Sequence, residues 1–310
     1  MRTSPEDRIN DYTQRGWWGT DTLHDALEQA VSTHGAQLAV ADAPNRSELI
    51  GDDPQRLTFG ELETASTNLA YQLNGAGVCH GDTVIVQLPN IVELFAIYFA
   101  ASKLGAIISP VPVQYGPHEL RQIAETLRPD AVVTIGTLHG QPVPAVIEGQ
   151  FDDNLTVLQF GGDLGPRLRL DIEHSAAASK WYDDYRLTTP GDANDILSIC
   201  WTSGTTGTPK GVPRSHNMWF ATARACIEAG DYREYDRLLN PFPMVNMAAL
   251  GGFLFPSIIV KCGVILHHPL DPSVFLAQMQ DEKITFTIAP PALLNQLAKA
   301  EEMWNQFDFS

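Results

Sequence analysis

The chain has 310 residues, 44% hydrophobic and 18% charged, enough length and apolar content for a large buried core. Thirty-seven acidic against twenty basic side chains leave a formal charge of −17, which repels phosphate backbones and anionic lipid and argues against a nucleic-acid or acidic-membrane surface. The N-terminus lacks an apolar stretch of signal-peptide length, and the longest apolar run, Met247 to Val260, falls short of the roughly 20 residues a membrane span needs. Cys79, Cys200, Cys226 and Cys262 form no C-x-x-C pair and read as free thiols of a cytoplasmic protein.

In chain order, residues 1–55 are an N-terminal segment. "LTFGELETASTNLAYQLNGAGV" then opens on the capping box Thr58/Glu61, carries a stripe at Leu62, Ala65, Leu69 and Leu73, and stops at Gly75 and Gly77, so a helix with one buried face is expected. "DTVIVQLP" predicts a strand, "NIVELFAIYFAASKLGA" a mostly buried helix capped by Asn90, and "IISPVPV" a strand. "GPHELRQIAETLRP" predicts a helix closed by Pro129, and "DAVVTIG" a strand. Between residues 136 and 191 the rhythm weakens, and only Leu155 to Phe160 reads as a strand within irregular connecting structure.

Alternation resumes with the strand "DILSICW", the helix "SHNMWFATARACIEAG", the strand "RLLNPFP" and the helix "MAALGGFLFPSIIV". The strand "GVILHH", a helix with Asp271 at its N-cap and Pro272 in its first turn, the strand "ITFTIAP" and the helix "PALLNQLAKAEEM" follow. Strands that are apolar throughout and alternate with helices predict α/β structure, with parallel-rich sheets covered by helices on both faces. Two successive layers are expected, 56–135 and 192–310, joined by 136–191.

Between the strand "DILSICW" and the helix that starts at "SHN" lies "TSGTTGTPKG", residues 202–211. Placed at the carboxyl end of a parallel strand, this run stands where open α/β sheets bind ligands. Gly204, Gly207 and Gly211 permit the positive-φ turns that point successive N–H groups inward. Thr202, Ser203, Thr205, Thr206 and Thr208 add neutral donors, and Lys210 adds a positive charge. The set suits the oxygens of a polyphosphate whose remaining charge is carried by Mg²⁺. A Walker A loop is excluded, because Lys210 follows Pro209 and precedes Gly211, with no hydroxyl after it for the metal. A plain polar connection would not require so dense a run of donors.

The run resembles the phosphate-binding loop of the AMP-forming acyl-activating ligases, the superfamily of acyl-CoA synthetases and aryl-acid adenylases. Residues 57–115 and "APPALLNQLAK" at 289–299 are similar to further segments of that family, and "GWWGTDTLHDALEQAV" is similar to the start of its aryl-acid and cyclic- or medium-chain-acid members. The resemblance implies that the chain is most of a large N-terminal domain, incomplete at its C-terminal end. It implies activation of a small carboxylic acid by ATP and Mg²⁺ to an acyl-adenylate, with release of pyrophosphate. The acyl group would then pass to a thiol, that of CoA or the phosphopantetheine of an acyl carrier protein. It implies ATP phosphate binding at Thr202, Ser203, Gly204, Thr205, Thr206, Gly207 and Lys210, and a place near the nucleotide or a packing role for His216. Asn246, Met247, Ala248, Gly251 and Gly252 would line the acid pocket.

Two departures matter. Asn246 stands where these ligases usually carry a histidine, and Met247 where phenol-reading adenylases carry an asparagine, which points to an alicyclic, aliphatic or unsubstituted aryl acid. The family's adenine- and ribose-binding motifs, its hinge and the catalytic lysine of its small C-terminal domain would follow "NQFDFS" and are missing from the sequence. Two readings therefore stay open: an AMP-forming ligase, or a truncated binding module that keeps the loop without turnover. His267 and His268 read as structural rather than metal-binding.

Overall fold

In the computed structural model, which describes residues 1–143, 151, 155–162, 167–202, 209–299, 304 and 306–308, the N-terminal segment already contributes to the core. It forms α1 (Glu6–Gln14), α2 (Leu23–His34), β1 (Leu38–Ala41), α3 (Arg46–Ile50) and β2 (Arg56–Thr58). The predicted alternation follows: α4 (Phe59–Gly75), β3 (Thr83–Gln87), α5 (Val92–Leu104), β4 (Ile107–Pro110), α6 (Pro117–Leu127) and β5 (Ala131–Ile135). The stretch read as irregular holds a small hairpin, β6 (Thr137–Leu138) with β7 (Gln141–Pro142), then β8 (Thr156–Phe160), β9 (Leu168–Leu170) and α7 (Ala176–Thr188). α7 escapes periodicity because only Ala178 and Tyr182 of it are buried; it is held instead by Trp181, whose ring lies 5.7 Å from Tyr71 of α4, and by the Tyr185 hydroxyl, which donates to the Leu104 carbonyl at 2.8 Å.

The remainder comprises β10 (Ile196–Thr202), β11 (Lys210–Ser215), α8 (His216–Gly230), β12 (Arg237–Asn240), α9 (Met247–Ala249), α10 (Phe255–Val260), β13 (Gly263–Leu266), α11 (Pro272–Asp281), β14 (Phe286–Thr287) and α12 (Pro291–Leu297). A π-helical turn, Leu250–Leu254, joins α9 to α10, so the expected helix over 247–260 is continuous.

The sheets do not follow the expected halves of the chain. One runs β11-β10-β4-β3-β5-β8-β9, parallel except for the edge strand β11. The other runs β14-β12-β13-β1-β2, parallel except for the edge strand β2. Thus β10 and β11 join the sheet of the first half, while β1 and β2 complete the sheet of the second. α5 packs between them, against β4 of one sheet and β1 of the other, and all its residues are buried. That burial is what a helix apolar on every side predicts.

The polar residues of α5 are paired. Arg46 holds Glu93 bidentately at 2.6 and 2.8 Å and Asp42 at 2.5 Å, and Lys103 reaches Glu63 at 2.6 Å. Burial pushes the Asp42 carboxyl up to about 6 in spite of Arg46. Asp42 also caps α5, accepting the Val92 N–H at 2.8 Å. Asn90 does not take that role: Ile91 is the N-cap, and the Asn90 amide points toward the segment after β12.

Candidate functional site

The Thr/Gly-rich run starts where β10 ends, and β10 lies parallel to β4, so the run does stand at the carboxyl end of a parallel strand. It does not lead directly into a helix. The chain reverses into β11, with Thr202 opposite Lys210, Cys200 opposite Val212 and Ile196 opposite Ser215, and only then enters α8. The run therefore connects two antiparallel neighbours, its ends lying in their paired strands. Ser203, Gly204, Thr205, Thr206, Gly207 and Thr208 lie outside the described residues. Thr202 and Lys210 flank them and are both exposed, and the Thr202 hydroxyl donates to the Lys210 carbonyl at 3.4 Å.

Gly211 serves packing rather than a positive-φ turn. It lies in β11 opposite Trp201, and a Cβ there would come within 2.8 Å of Ile199 Cγ2 and 3.3 Å of the Trp201 ring. Trp201 is itself fixed by its Nε1–H, which donates to Ser109 of β4 at 2.8 Å.

The helix expected to line the acid pocket begins with Asn246 as its N-cap. The Asn246 Oδ1 accepts the Ala249 N–H at 3.1 Å, which leaves Nδ2 without a protein partner among the described residues. Met247 and Ala248 are exposed, whereas Gly251 and Gly252 are buried, so these four do not share one lining. A Cβ at Gly251 would stand 2.7 Å from Thr222 Cγ2, so that glycine admits α8. Gly252 belongs to the π turn, whose cause lies at Pro256. Proline has no N–H to offer the carbonyl four residues earlier, and the Gly252 carbonyl accepts the Tyr232 hydroxyl at 2.9 Å instead.

Arg214 links the strand after the Thr/Gly-rich run to the helix expected to line the acid pocket, and sequence reasoning missed it. From β11, its guanidinium lies 5.0 Å from the Trp219 ring centroid and donates toward Met247 Sδ at 3.9 Å. It makes no ion pair with a carboxylate among the described residues. Its signal in the sequence was a lone arginine four residues past Lys210, in a chain where acids greatly outnumber bases.

His216 sits at the other end of the hairpin. Six residue steps of strand, at about 3.4 Å each, put roughly 20 Å between it and Lys210. It is buried, and its Nδ1 accepts the Leu23 N–H of α2 at 3.0 Å. Burial lowers its pKa to about 4, so the ring is neutral. Of its two expected places, the geometry gives it packing against α2. His267 also has protein partners at both nitrogens, Gln278 Oε1 at 2.7 Å from Nδ1 and the Asp271 N–H at 3.1 Å from Nε2.

A parallel-rich α/β fold with a donor-rich connection at the carboxyl end of a sheet strand is the arrangement of a ligand-binding α/β protein. A family model described as AMP-binding enzyme matches residues 36–310, and the chain belongs to that family. It is 32% identical over 249 residues to the long-chain-fatty-acid–CoA ligase FadD13 of Mycobacterium tuberculosis, a match covering 80% of this chain and 47% of the relative. It is 28% identical over 311 residues to enterobactin synthase component E of Escherichia coli, covering 93% and 51%. The chain thus spans about half the length of the curated relatives it matches. Among solved structures, apo MbtA of Mycobacterium smegmatis superposes with a TM-score of 0.77 at 24% identity, covering 99% of this chain and 53% of that one. The inhibitor-bound N-terminal domain of FACL13 from Mycobacterium tuberculosis gives 0.71 at 24% identity, covering 93% and 67%. At these identities the likeness is one of fold. Among the described residues, no helix is long and apolar enough to cross a membrane.

Proposed function

We propose that the chain is the acid- and ATP-binding part of an AMP-forming acid–thiol ligase, most of a large N-terminal domain. The supporting observation is adjacency: Arg214, on the strand that leaves the Thr/Gly-rich run, touches Met247 in the first turn of the helix expected to line the acid pocket. Donors at 202–207 and Lys210 would hold the β- and γ-phosphates, with Mg²⁺ carried in on the triphosphate. The acid carboxylate is itself the nucleophile toward the α-phosphorus. A carboxylate oxygen forms the new P–O bond as the bond to pyrophosphate breaks. The protein's task is alignment and charge neutralisation. Attack of a CoA or carrier-protein thiol on the acyl carbon, with loss of a proton from sulfur, would then release AMP.

Met247 presents an apolar, half-exposed wall, which favours an alicyclic, aliphatic or unsubstituted aryl acid. The test is acid-dependent exchange of labelled pyrophosphate into ATP, first by this chain and then by the product of its complete reading frame. Exchange by either supports activation. ATP binding without exchange under any acid in both would make the chain a binding module. Nucleotide bound away from residues 202–207, with the run packed on protein, would refute the assignment of the loop.

A further inference from the structure

Residues 241–246, between β12 and α9, carry Asn246 and lead into Met247, yet they form neither helix nor strand. Their backbone is held mainly by side chains of the other sheet's elements. The Met244 N–H donates to Asn90 Oδ1 at 2.8 Å, and the Met244 carbonyl accepts the Tyr98 hydroxyl at 2.6 Å. The Phe242 carbonyl accepts Asn90 Nδ2 at 2.8 Å, and the same amide reaches the His267 carbonyl at the end of β13 at 3.3 Å. Asn90 is 4% exposed, and Tyr98 and Met244 are at most 1% exposed.

Both backbone groups of one buried residue are thus met by polar side chains more than a hundred residues away in sequence. Apolar contacts alone would keep this loop dry but leave its position along the core loosely specified. Directional bonds to a single residue fix it to the tolerance of a hydrogen bond. Met244 lies two residues before Asn246 and three before Met247, with Asn246 already committed to capping α9. A shift at Met244 therefore moves the first turn of that helix.

We infer that Asn90 and Tyr98 are positioning residues for acid recognition, fixing where Asn246 and Met247 stand against the substrate. This rests on the acid-activation reading above. The hairpin has an anchor of its own, Trp201 on Ser109, and meets Met247 through the long Arg214 contact at 3.9 Å, so loosening the clamp is felt at the acid before it is felt at ATP.

The test uses Tyr98→Phe, which removes one oxygen, and Asn90→Ala, in the enzyme expressed from its complete reading frame. Hydrogen exchange by mass spectrometry is read together with pyrophosphate-exchange kinetics. In Tyr98→Phe, faster exchange is expected in peptides covering 241–249 and not in those covering β3, β5 or α8. The acid KM is expected to rise about tenfold while the ATP KM stays within about twofold, since one buried acceptor loses its partner near the acid alone. The preference between a short and a long acid should narrow with it. Asn90→Ala should do the same more strongly; if it fails to fold, Tyr98→Phe carries the test. Equal changes in both KM values, or a loosened segment with unchanged acid KM and preference, would overturn the inference. A wild-type enzyme without acid-dependent exchange would sink the activation reading first, and this one with it.

Discussion

His216→Phe separates a packing role from a nucleotide role at one position. The ring volume is roughly kept, but the acceptor of the Leu23 N–H is removed, and that donor begins α2 in the core. An orphaned buried donor costs about 1–3 kcal/mol. A domain of this size loses about 2 °C of Tm per kcal/mol, so a fall of some 2–6 °C near pH 7.5 is expected by calorimetry. The pH dependence adds a second signature. With its folded pKa lowered to about 4 from 6.5, the wild-type imidazole binds its proton more readily unfolded than folded across that window. Its contribution is therefore fully present above pH 6.5 and lost as pH falls through 4, a span worth about 3 kcal/mol at 1.36 per unit. Phenylalanine has no such loss, so the stability gap between the two proteins should close toward pH 4. ATP affinity should change by less than about twofold, because the side chain lies roughly 20 Å of strand from Lys210. An unchanged melt with lost nucleotide binding would refute this reasoning.

Lys210→Ala should abolish most pyrophosphate exchange while shifting stability by no more than about 0.5 kcal/mol, since the side chain is exposed; a large fall in Tm would count against a binding role. Arg46→Met leaves the buried carboxylates of Asp42 and Glu93 facing each other and should cost about 3–5 kcal/mol in denaturant melts; a near-neutral result would mean the triad is wetter than its burial indicates. In a panel of acids, benzoate or a cyclohexane acid should match dihydroxybenzoate in kcat/KM, because Met247 offers no partner to a phenol hydroxyl. A preference of orders of magnitude for the hydroxylated acid would show that the pocket is read from other residues.

Features decided within a turn or two of chain were legible in the sequence. The Thr58/Glu61 capping box and the Asp271 cap are both formed, because each is a contract between residues three apart. The Thr/Gly-rich run announced itself by donor density alone. What sequence could not supply was partnership at a distance. Asn90 sits before a helix and reads as its cap, but its bonds go to residues about 150 positions on, and Asp42 from β1's end takes the cap instead. Gly211 reads as a turn glycine until the cross-strand Trp201 is seen over it. Arg214 gave no sign of its contact with Met247 until β11 was seen to carry it there. β1 went unread because a four-residue apolar strand has too few periods to register.

The interleaving of the two sheets bears on how the chain folds. β1 pairs with β13 in register Val40 to Val264, across more than two hundred residues. During synthesis more than two hundred and twenty further residues must leave the ribosome before β1 can meet its parallel neighbour, and until then one side of that strand is an open edge. Such a contact order predicts slow folding and a window in which the nascent chain is prone to aggregate. It also means that no cut between the halves would give two independently folding fragments, since each half lends strands that the other's sheet needs.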